Sequence, residues 1–340
     1  MYSAHYSRYV LQFKTPGGTS RGVLTEKESW FIHLRHSDFP EKTVIGECGI
    51  LRGLSADDRT GYEDKLKEVC SRVNEPFEDL YESLREWPSI QFGLEMAFKG
   101  LDQEGEYLYY PSEFTAGNYG IPINGLVWMG SKENMLKQIE EKIDLGFSCI
   151  KMKIGAIDFE EELACLKFIR SKYTPEEIEI RVDANGAFST GEALSKLEQL
   201  AEFKLHSIEQ PIAVNQLQAM ADLCKETPLP IALDEELIGI YYPKEKEALL
   251  DKINPQYIIL KPSFIGGWKG TQEWIDAAEA RDIDWWITSA LESNIALNAI
   301  AQYTATLHPK IPQGLGTGGL FTNNIERPLE IRKGHLWFNL

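Results

Sequence analysis

Apolar and polar residues alternate along the first third of the chain. Tyr6–Lys14 and Glu28–Arg35 read as strands by their period of two, joined by a turn holding Gly17 and Gly18; Val44–Gly49 reads as a third, shorter strand. The period then lengthens to that of a helix. Tyr62–Val73 places Leu66, Val69 and Val73 on one face, and Ser89–Lys99 does the same with Ile90, Leu94 and Ala97. Gly, Pro and Tyr crowd residues 100–124, as expected of a linker. From residue 125 short β-like runs alternate with amphipathic helical stretches. Strands are predicted at 125–130, 149–154, 178–185, 205–211, 230–236, 257–262, 284–293 and 314–321, with helices such as Phe159–Ser171 and Glu192–Phe203 between them. Ser189-Thr190-Gly191-Glu192 has the form of a capping box at a helix start. Strands separated by helices pair in parallel, and this many in roughly 200 residues fit a (β/α)8-type barrel. The expected division is an α+β unit over 1–120, a barrel over 121–321, and a tail, 322–340, that packs back on the first unit.

Composition narrows the function. The chain has 340 residues, 35 Lys plus Arg against 52 Asp plus Glu, and a formal charge of −17. That balance excludes a general binder of nucleic acid or of an anionic membrane surface, which needs a basic face. No apolar run approaches the ~20 residues of a membrane helix, and residues 1–16 hold no signal-peptide core. The 5 cysteines are odd in number, widely spaced and without CxxC, and the 6 histidines are scattered. A disulfide framework or zinc site is not expected, and a reducing cytoplasm is. The pattern specifies no oligomeric state.

The chemistry lies at the strand ends. Lys153, Asp183, Glu209, Asp234 and Lys261 recur 25 to 30 residues apart, each at or near the C-terminal end of a predicted strand. In a barrel those ends converge on the face where active sites form. Taken singly, each is an ordinary solvated strand-end charge; five in phase with the repeat argue for a shared site. Asp183, Glu209 and Asp234 would repel one another unless a cation joins them, and hard carboxylate ligands favour Mg2+, with Mn2+ as the alternative. Arg181, Asp183 and Asn185 share a strand face, which makes Arg181 and Asn185 candidates to support the ligands, together with Glu235. Lys151 and Lys153 share the face of the preceding strand. Such neighbouring cations are expected to lower a lysine's pKa toward neutrality, as a general base requires. Two lysines flanking a carboxylate-bound metal suit removal of a proton next to a substrate carboxylate.

The runs KMK at 151–153, RVDAN at 181–185, IEQP at 208–211, DEE at 234–236 and ILKPS at 259–263 resemble the enolase superfamily, most closely its muconate-lactonizing subgroup. The resemblance implies a modified, TIM-like (β/α)7β barrel with an N-terminal α+β capping domain, and a lysine on each side of the metal. Thr288–Ser293 (TSALES) and Gly314–Phe321 (GLGTGGLF) are similar to the o-succinylbenzoate synthases of menaquinone biosynthesis within that subgroup. This implies a dehydration of 2-succinyl-6-hydroxy-2,4-cyclohexadiene-1-carboxylate, a small dicarboxylate. Lys153 would act as base and then acid, Mg2+ would hold the enediolate, Lys261 would stabilise it from the far side, and Lys151 would tune Lys153. An N-acylamino acid racemase, dipeptide epimerase or cycloisomerase of the subgroup would use the same lysine pair. Dipeptide epimerases usually carry Asp-x-Asp on the last strand, whereas 314–321 contains no acid.

For the substrate's second carboxylate the candidates are Arg21 in the Gly-rich turn, Ser289, Ser293, and the backbone around Gly316 and Thr317. That turn is expected to close over the barrel as a lid. Residues 314–319 also match G-x-G-x-x-G, but no helix follows, so a dinucleotide site is not expected.

Overall fold

The computed structural model describes residues 1–19 and 22–340. Strands β1 (Tyr2–Thr19), β2 (Gly22–His36) and β3 (Phe39–Gly49) form an antiparallel sheet in that order. The first two make one long hairpin, from Tyr2 opposite His36 to Thr19 opposite Gly22, with its register shifting between Gln12 and Gly17. The predicted turn at Gly17 and Gly18 is therefore still strand. Helices α1 (Tyr62–Ser71), α2 (Phe77–Glu82) and α3 (Pro88–Leu101) cover one face of this sheet. Leu66, Val69, Ile90 and Leu94, spaced for one helical face, meet Trp30, Ile32 and Leu34, spaced for one strand face.

The chain then enters the barrel through β4 (Ile121–Pro122) and β5 (Gly125–Val127). The remaining staves are β6 (Cys149–Lys153), β7 (Glu179–Asp183), β8 (Ser207–Glu209), β9 (Ile231–Leu233), β10 (Tyr257–Leu260) and β11 (Asp284–Ile287). Strands β5 to β11 pair in sequence order as one parallel sheet. Helices α4 (Lys132–Asp144), α5 (Phe159–Lys172), α6 (Ala193–Ala201), α7 (Leu217–Glu226), α8 (Pro243–Ile253), α9 (Pro262–Ile265), α10 (Gly267–Glu279) and α11 (Asn294–Thr306) supply the crossovers. The expected α/β architecture is present: a TIM-like barrel with an α+β cap. Alternation sorts the strand residues. Ile150, Met152, Ile180, Val182 and Ile208 join the apolar core, which leaves Lys151, Lys153, Arg181, Asp183 and Glu209 on the other side of their strands.

The eighth stave differs from its prediction. The segment that closes the barrel is Gln313–Gly314, bridged to Ile123 on one side and to Thr288 on the other. Gln313 N donates to Pro122 O at 2.8 Å and Gly314 N to Ile287 O at 2.8 Å. Residues 315–320 continue as loop and turn, because their glycines offer no alternating side chains to pack on a sheet, and Phe321 bridges antiparallel to Phe13 of β1. Strands β12 (Leu329–Arg332) and β13 (His335–Phe338) form a hairpin whose second strand pairs with β4, while Thr322 N donates to Gln12 O and Asn323 Nδ2 to Val10 O in β1.

Two carboxylates of the first 101 residues cap helices of the barrel. Glu95 of α3 accepts from Trp268 N at 2.6 Å and Lys269 N at 3.0 Å at the start of α10. Glu47 of β3 accepts from Ser293 N at 3.0 Å and Ala296 N at 3.2 Å at the start of α11. Each meets backbone N–H groups that an isolated helix leaves unpaired. Among the described residues no helix is long and apolar enough to cross a membrane.

Candidate active site

Register assembles the site. Lys153 lies opposite Asp183 and Asp183 opposite Glu209, so β6, β7 and β8 deliver one lysine and two carboxylates at one level. Asp234 follows β9 and Lys261 follows β10, which extends the row around the C-terminal rim. All five are at most 14% exposed at the side chain. Lys151 starts one pleat lower but reaches upward, its Nζ 3.0 Å from Asp183 Oδ2 and 2.5 Å from Glu209 Oε2. Lys153 Nζ donates to Asp183 Oδ2 and Asn185 Oδ1, both at 2.8 Å. Lys261 donates to Asp234 Oδ2.

The carboxylates differ in character. Burial pushes the Asp183 carboxyl up, yet Lys151 and Lys153 outweigh it and hold the group well below its usual range. Burial also opposes ionisation of Asp234, and Lys261 brings it down. Glu209 goes the other way: burial, then Asp183 and Asp234, push it well above the usual range against the pull of Lys151. Neither Glu209 oxygen has a well-directed hydrogen bond, although Lys151 stands close to one of them. Among the described residues no three His, Cys, Asp or Glu side chains are gathered around a single point as a metal ligand set. The three carboxylates share a level with lysine ammoniums between them. At Lys151 burial pulls the ammonium pKa down, but Asp183, Glu209 and Asp234 together raise it.

Of the predicted supporting residues, Asn185 and Glu235 belong to this cluster. Asn185 Nδ2 donates to Glu235 Oε1 at 3.0 Å, and Asn185 N donates to Asp183 Oδ1 at 3.0 Å. Asn185 has φ of 45°, a left-handed conformation that Asn tolerates, and this turns its side chain back over the strand end. Arg181 does not join them. Its Nε donates to Glu179 Oε1 at 2.7 Å, its Nη1 to Pro312 O at 2.9 Å, and its guanidinium lies 4.4 Å from the Trp286 ring. It shares the strand face with Asp183 but lies two residues nearer the strand start, about 6.6 Å lower.

The lysines open onto a cavity of about 350 Å3, with Lys151, Lys153, Asn185 and Lys261 at its base. Leu126 and Trp128 form one wall, Phe264 and Thr288–Leu291 another, and Gly314, Gly316 and Thr317 complete the rim. The roof comes from the N-terminal sheet: Gly22, Val23 and Leu24 of β2, and Leu51–Leu54 after β3. The tip of the hairpin expected to act as a lid lies outside the described residues. Gly17 and Gly18 lie so close to the barrel that a Cβ would meet the Trp128 ring at 3.1 Å and Met129 O at 2.7 Å.

The predicted contacts for a second carboxylate separate. Ser289, Gly316 and Thr317 line the cavity, and the Ser289 and Thr317 hydroxyls are 2.6 Å apart. Arg21 lies outside the described residues. Ser293 is a correction: it is fully buried outside the cavity lining, caps α11 through Ile295 N, and donates to Glu47 Oε2 at 2.5 Å. Its hydrogen-bonding capacity is committed to the fold.

Sequence reasoning missed four residues here. Gln210, at φ of 39°, accepts Asp234 N and Glu236 N and donates to Glu236 Oε2, tying the metal-ligand candidates of two strands together. Glu236 in turn accepts Asn215 N at 3.0 Å. Both lie inside quoted motifs, where a buried polar residue beside an assigned one was the available signal. Glu162 of α5 accepts Gly155 N at 2.6 Å and so holds the turn after Lys153. Arg52, on the roof, is held by Glu28 and Asp58, and its isolated position in the sequence carries no signal.

With this geometry in view, relatives become informative. Residues 134–339 match the family described as Enolase C-terminal domain-like. The chain is 46% identical to an o-succinylbenzoate synthase from Desulfotalea psychrophila, over 97% of each chain. The crystal structure of MenC from D. psychrophila superposes with a TM-score of 0.87 at 40% identity, covering 99% of both chains. A dipeptide epimerase from Enterococcus faecalis, complexed with Mg and the dipeptide L-Leu-L-Tyr, shares the fold with a TM-score of 0.84 at 18% identity, over 99% of this chain and 96% of that one. The chain belongs to the enolase superfamily, in its muconate-lactonizing subgroup, and within it to the o-succinylbenzoate synthase family.

Proposed function

We propose that this chain is a lyase that dehydrates 2-succinyl-6-hydroxy-2,4-cyclohexadiene-1-carboxylate to 2-succinylbenzoate in menaquinone biosynthesis, using Mg2+. One observation carries the reading: Lys153 and Lys261 both border the same cavity, and each is bonded to one of the three carboxylates, Asp183 or Asp234. A relative of the same activity matches nearly the whole chain. The donor types suit a hard divalent cation taking the place of the ammoniums that now stand between them: Glu209 is a buried carboxylate without a well-directed hydrogen bond, next to two further carboxylates. Asp183, Glu209 and Asp234 would hold the ion, which when bound neutralises the charge that develops on the substrate carboxylate.

The chain's own groups then account for the proton. Lys153, aimed by Asp183 and Asn185, takes the proton from the ring carbon that bears the carboxylate. The electron pair of that C–H bond forms the new ring double bond as the neighbouring C–O bond breaks. Lys153 returns its proton to the departing hydroxyl, which leaves as water, so one residue on one face serves both steps. Lys261, held by Asp234, faces the same cavity and stabilises negative charge on the ring. Leu24, Leu54, Trp128 and Phe264 supply apolar walls for a flat ring. Ser289 and Thr317 hydroxyls, the backbone at Gly316 and the Gly-rich turn that includes Arg21 are the candidates for the succinyl carboxylate. Five free thiols suit a reducing cytoplasm.

The test is direct. The chain with Mg2+ and the cyclohexadiene should produce the aromatic product, followed by its ultraviolet absorbance; no product with metal-loaded chain overturns the assignment. The lysine pair equally suits transfer of a proton from one face of an α-carbon to the other, as in a racemase. Deuterium incorporation from solvent into N-succinyl amino acids measures that activity.

A further inference from the structure

Where β2 and β3 meet the loops after β10 and β11, the molecule buries a polar network that the proposed chemistry leaves unused. Lys27 on β2 is 3% exposed, and its Nζ donates to Ser29 Oγ at 3.2 Å. Ser29 Oγ donates onward to Glu47 Oε1 at 2.7 Å. On the barrel side Glu292 is fully buried, accepting Ser263 Oγ at 2.6 Å and Ala290 N at 2.7 Å. The Lys27 ammonium faces both carboxylates; burial lowers its pKa, and Glu47 and Glu292 oppose that. A Cβ on Gly49 would lie 2.8 Å from Lys27 Nζ and 3.5 Å from Glu292 Cγ, so glycine at 49 leaves the room in which these two side chains approach.

The two carboxylates are satisfied differently. Glu47 already receives backbone N–H groups at the start of α11, the positive end of that helix. Glu292 has Ser263 and Ala290 as donors; burial pushes its carboxyl up, and the Lys27 ammonium is the foremost group opposing that. Both ends of the Lys27–Glu292 pair bear on the cavity. The strand that carries Lys27 begins with Gly22, Val23 and Leu24 in the roof. Ser263 lies two residues after Lys261, and Ala290 stands in the wall.

We propose that Lys27 and Glu292 are positioning residues, two buried charges that face each other across Gly49 without direct contact, and that they fix the roof hairpin against the loops carrying Lys261 and Ser289–Leu291 and so set the shape of the substrate cavity. This rests on the reading of that cavity as the active site. Removing Lys27 strands the Glu292 charge in the interior, whereas removing both charges relieves it, so the pair should be strongly non-additive.

The experiment compares full-length K27M, K27R, E292Q and K27M/E292Q with the parent chain, by hydrogen–deuterium exchange and by steady-state kinetics. K27M should speed exchange at residues 288–291, and E292Q at residues 22–24, each across the interface from its own substitution. KM for the cyclohexadiene should rise about tenfold in each single variant with kcat within about threefold, since the groups act on the cavity and not on the proton. K27R should stay near the parent, and the double variant should lie closer to the parent than K27M does. Exchange that changes only beside the substitution, additive effects, or a fall in kcat at constant KM would overturn the proposal. If the parent chain does not dehydrate the substrate, the reaction assignment fails, and the exchange data still decide whether the pair joins roof to wall.

Discussion

Charge is buried at both ends of the barrel strands, and the two ends use it differently. Near the strand starts Arg181 is 1% exposed, ion-paired to Glu179, bonded to a backbone carbonyl and stacked on Trp286, with His206 and Tyr257 around the same indole. Neither Arg181 nor these partners line the cavity above the strand ends. At the strand ends, one pleat further on, three lysines meet three carboxylates, and the lysines border the cavity. A buried charge surrounded by rigid, permanent partners is structure. A buried charge whose partners can be exchanged, with space beside it, is held ready for a ligand.

The contrast is open to attack at both ends. K153A should lower kcat roughly 10^3-fold while shifting the melting temperature by only a few degrees, because general acid–base groups supply rate rather than packing. Comparable losses of activity and stability would erase the distinction. R181M should do the reverse. Breaking a buried pair from one side costs about 3–5 kcal/mol, here toward the lower figure because Glu179 is partly exposed. Urea unfolding should show that loss, with KM for the cyclohexadiene unchanged. E209Q should weaken Mg2+ binding, read by titration calorimetry, by more than the roughly 10–100-fold seen for groups that only support a ligand; unchanged affinity would move Glu209 out of the metal site.

The smallest effect concerns pH. Burial pushes the Glu95 carboxyl up to about 8, against the helix N–H groups that favour its anion. The folded chain therefore holds this proton through a range where the unfolded chain, near its ordinary carboxylate value, has released it. The stability Glu95 contributes is full at low pH and is lost as pH climbs toward 8. E95Q should flatten that decline in urea midpoint between about pH 5 and 8. An unchanged slope would mean the group ionises normally.

The strand-end row is legible in the sequence because a parallel barrel repeats a strand–helix unit of nearly constant length, so a charge recurring with that unit marks one level of the barrel. Height within the barrel is less legible. Period two places Arg181 on the same face as Asp183, and nothing local says that one residue plugs the bottom and the other lines the site. Ser293 fails for a different reason: its hydroxyl answers Glu47, 246 residues away, a partner that no local pattern announces. The closing stave, Gln313–Gly314, is held by backbone bonds on both sides and needs no alternating side chains, which is why residues 314–321 misplace it.

The two carboxylates that cap barrel helices carry a consequence for synthesis. Glu95 finds its amides 173 and 174 residues later, and Glu47 finds its own 246 and 249 residues later. At translation rates of about 5–20 residues per second, these gaps last on the order of 10 to 50 seconds. During that interval the emerging N-terminal sheet and its helices must carry acidic side chains aimed at a surface that does not yet exist. The nascent chain is therefore expected to stay loosely docked, and to call on chaperones, until the last barrel helix leaves the ribosome.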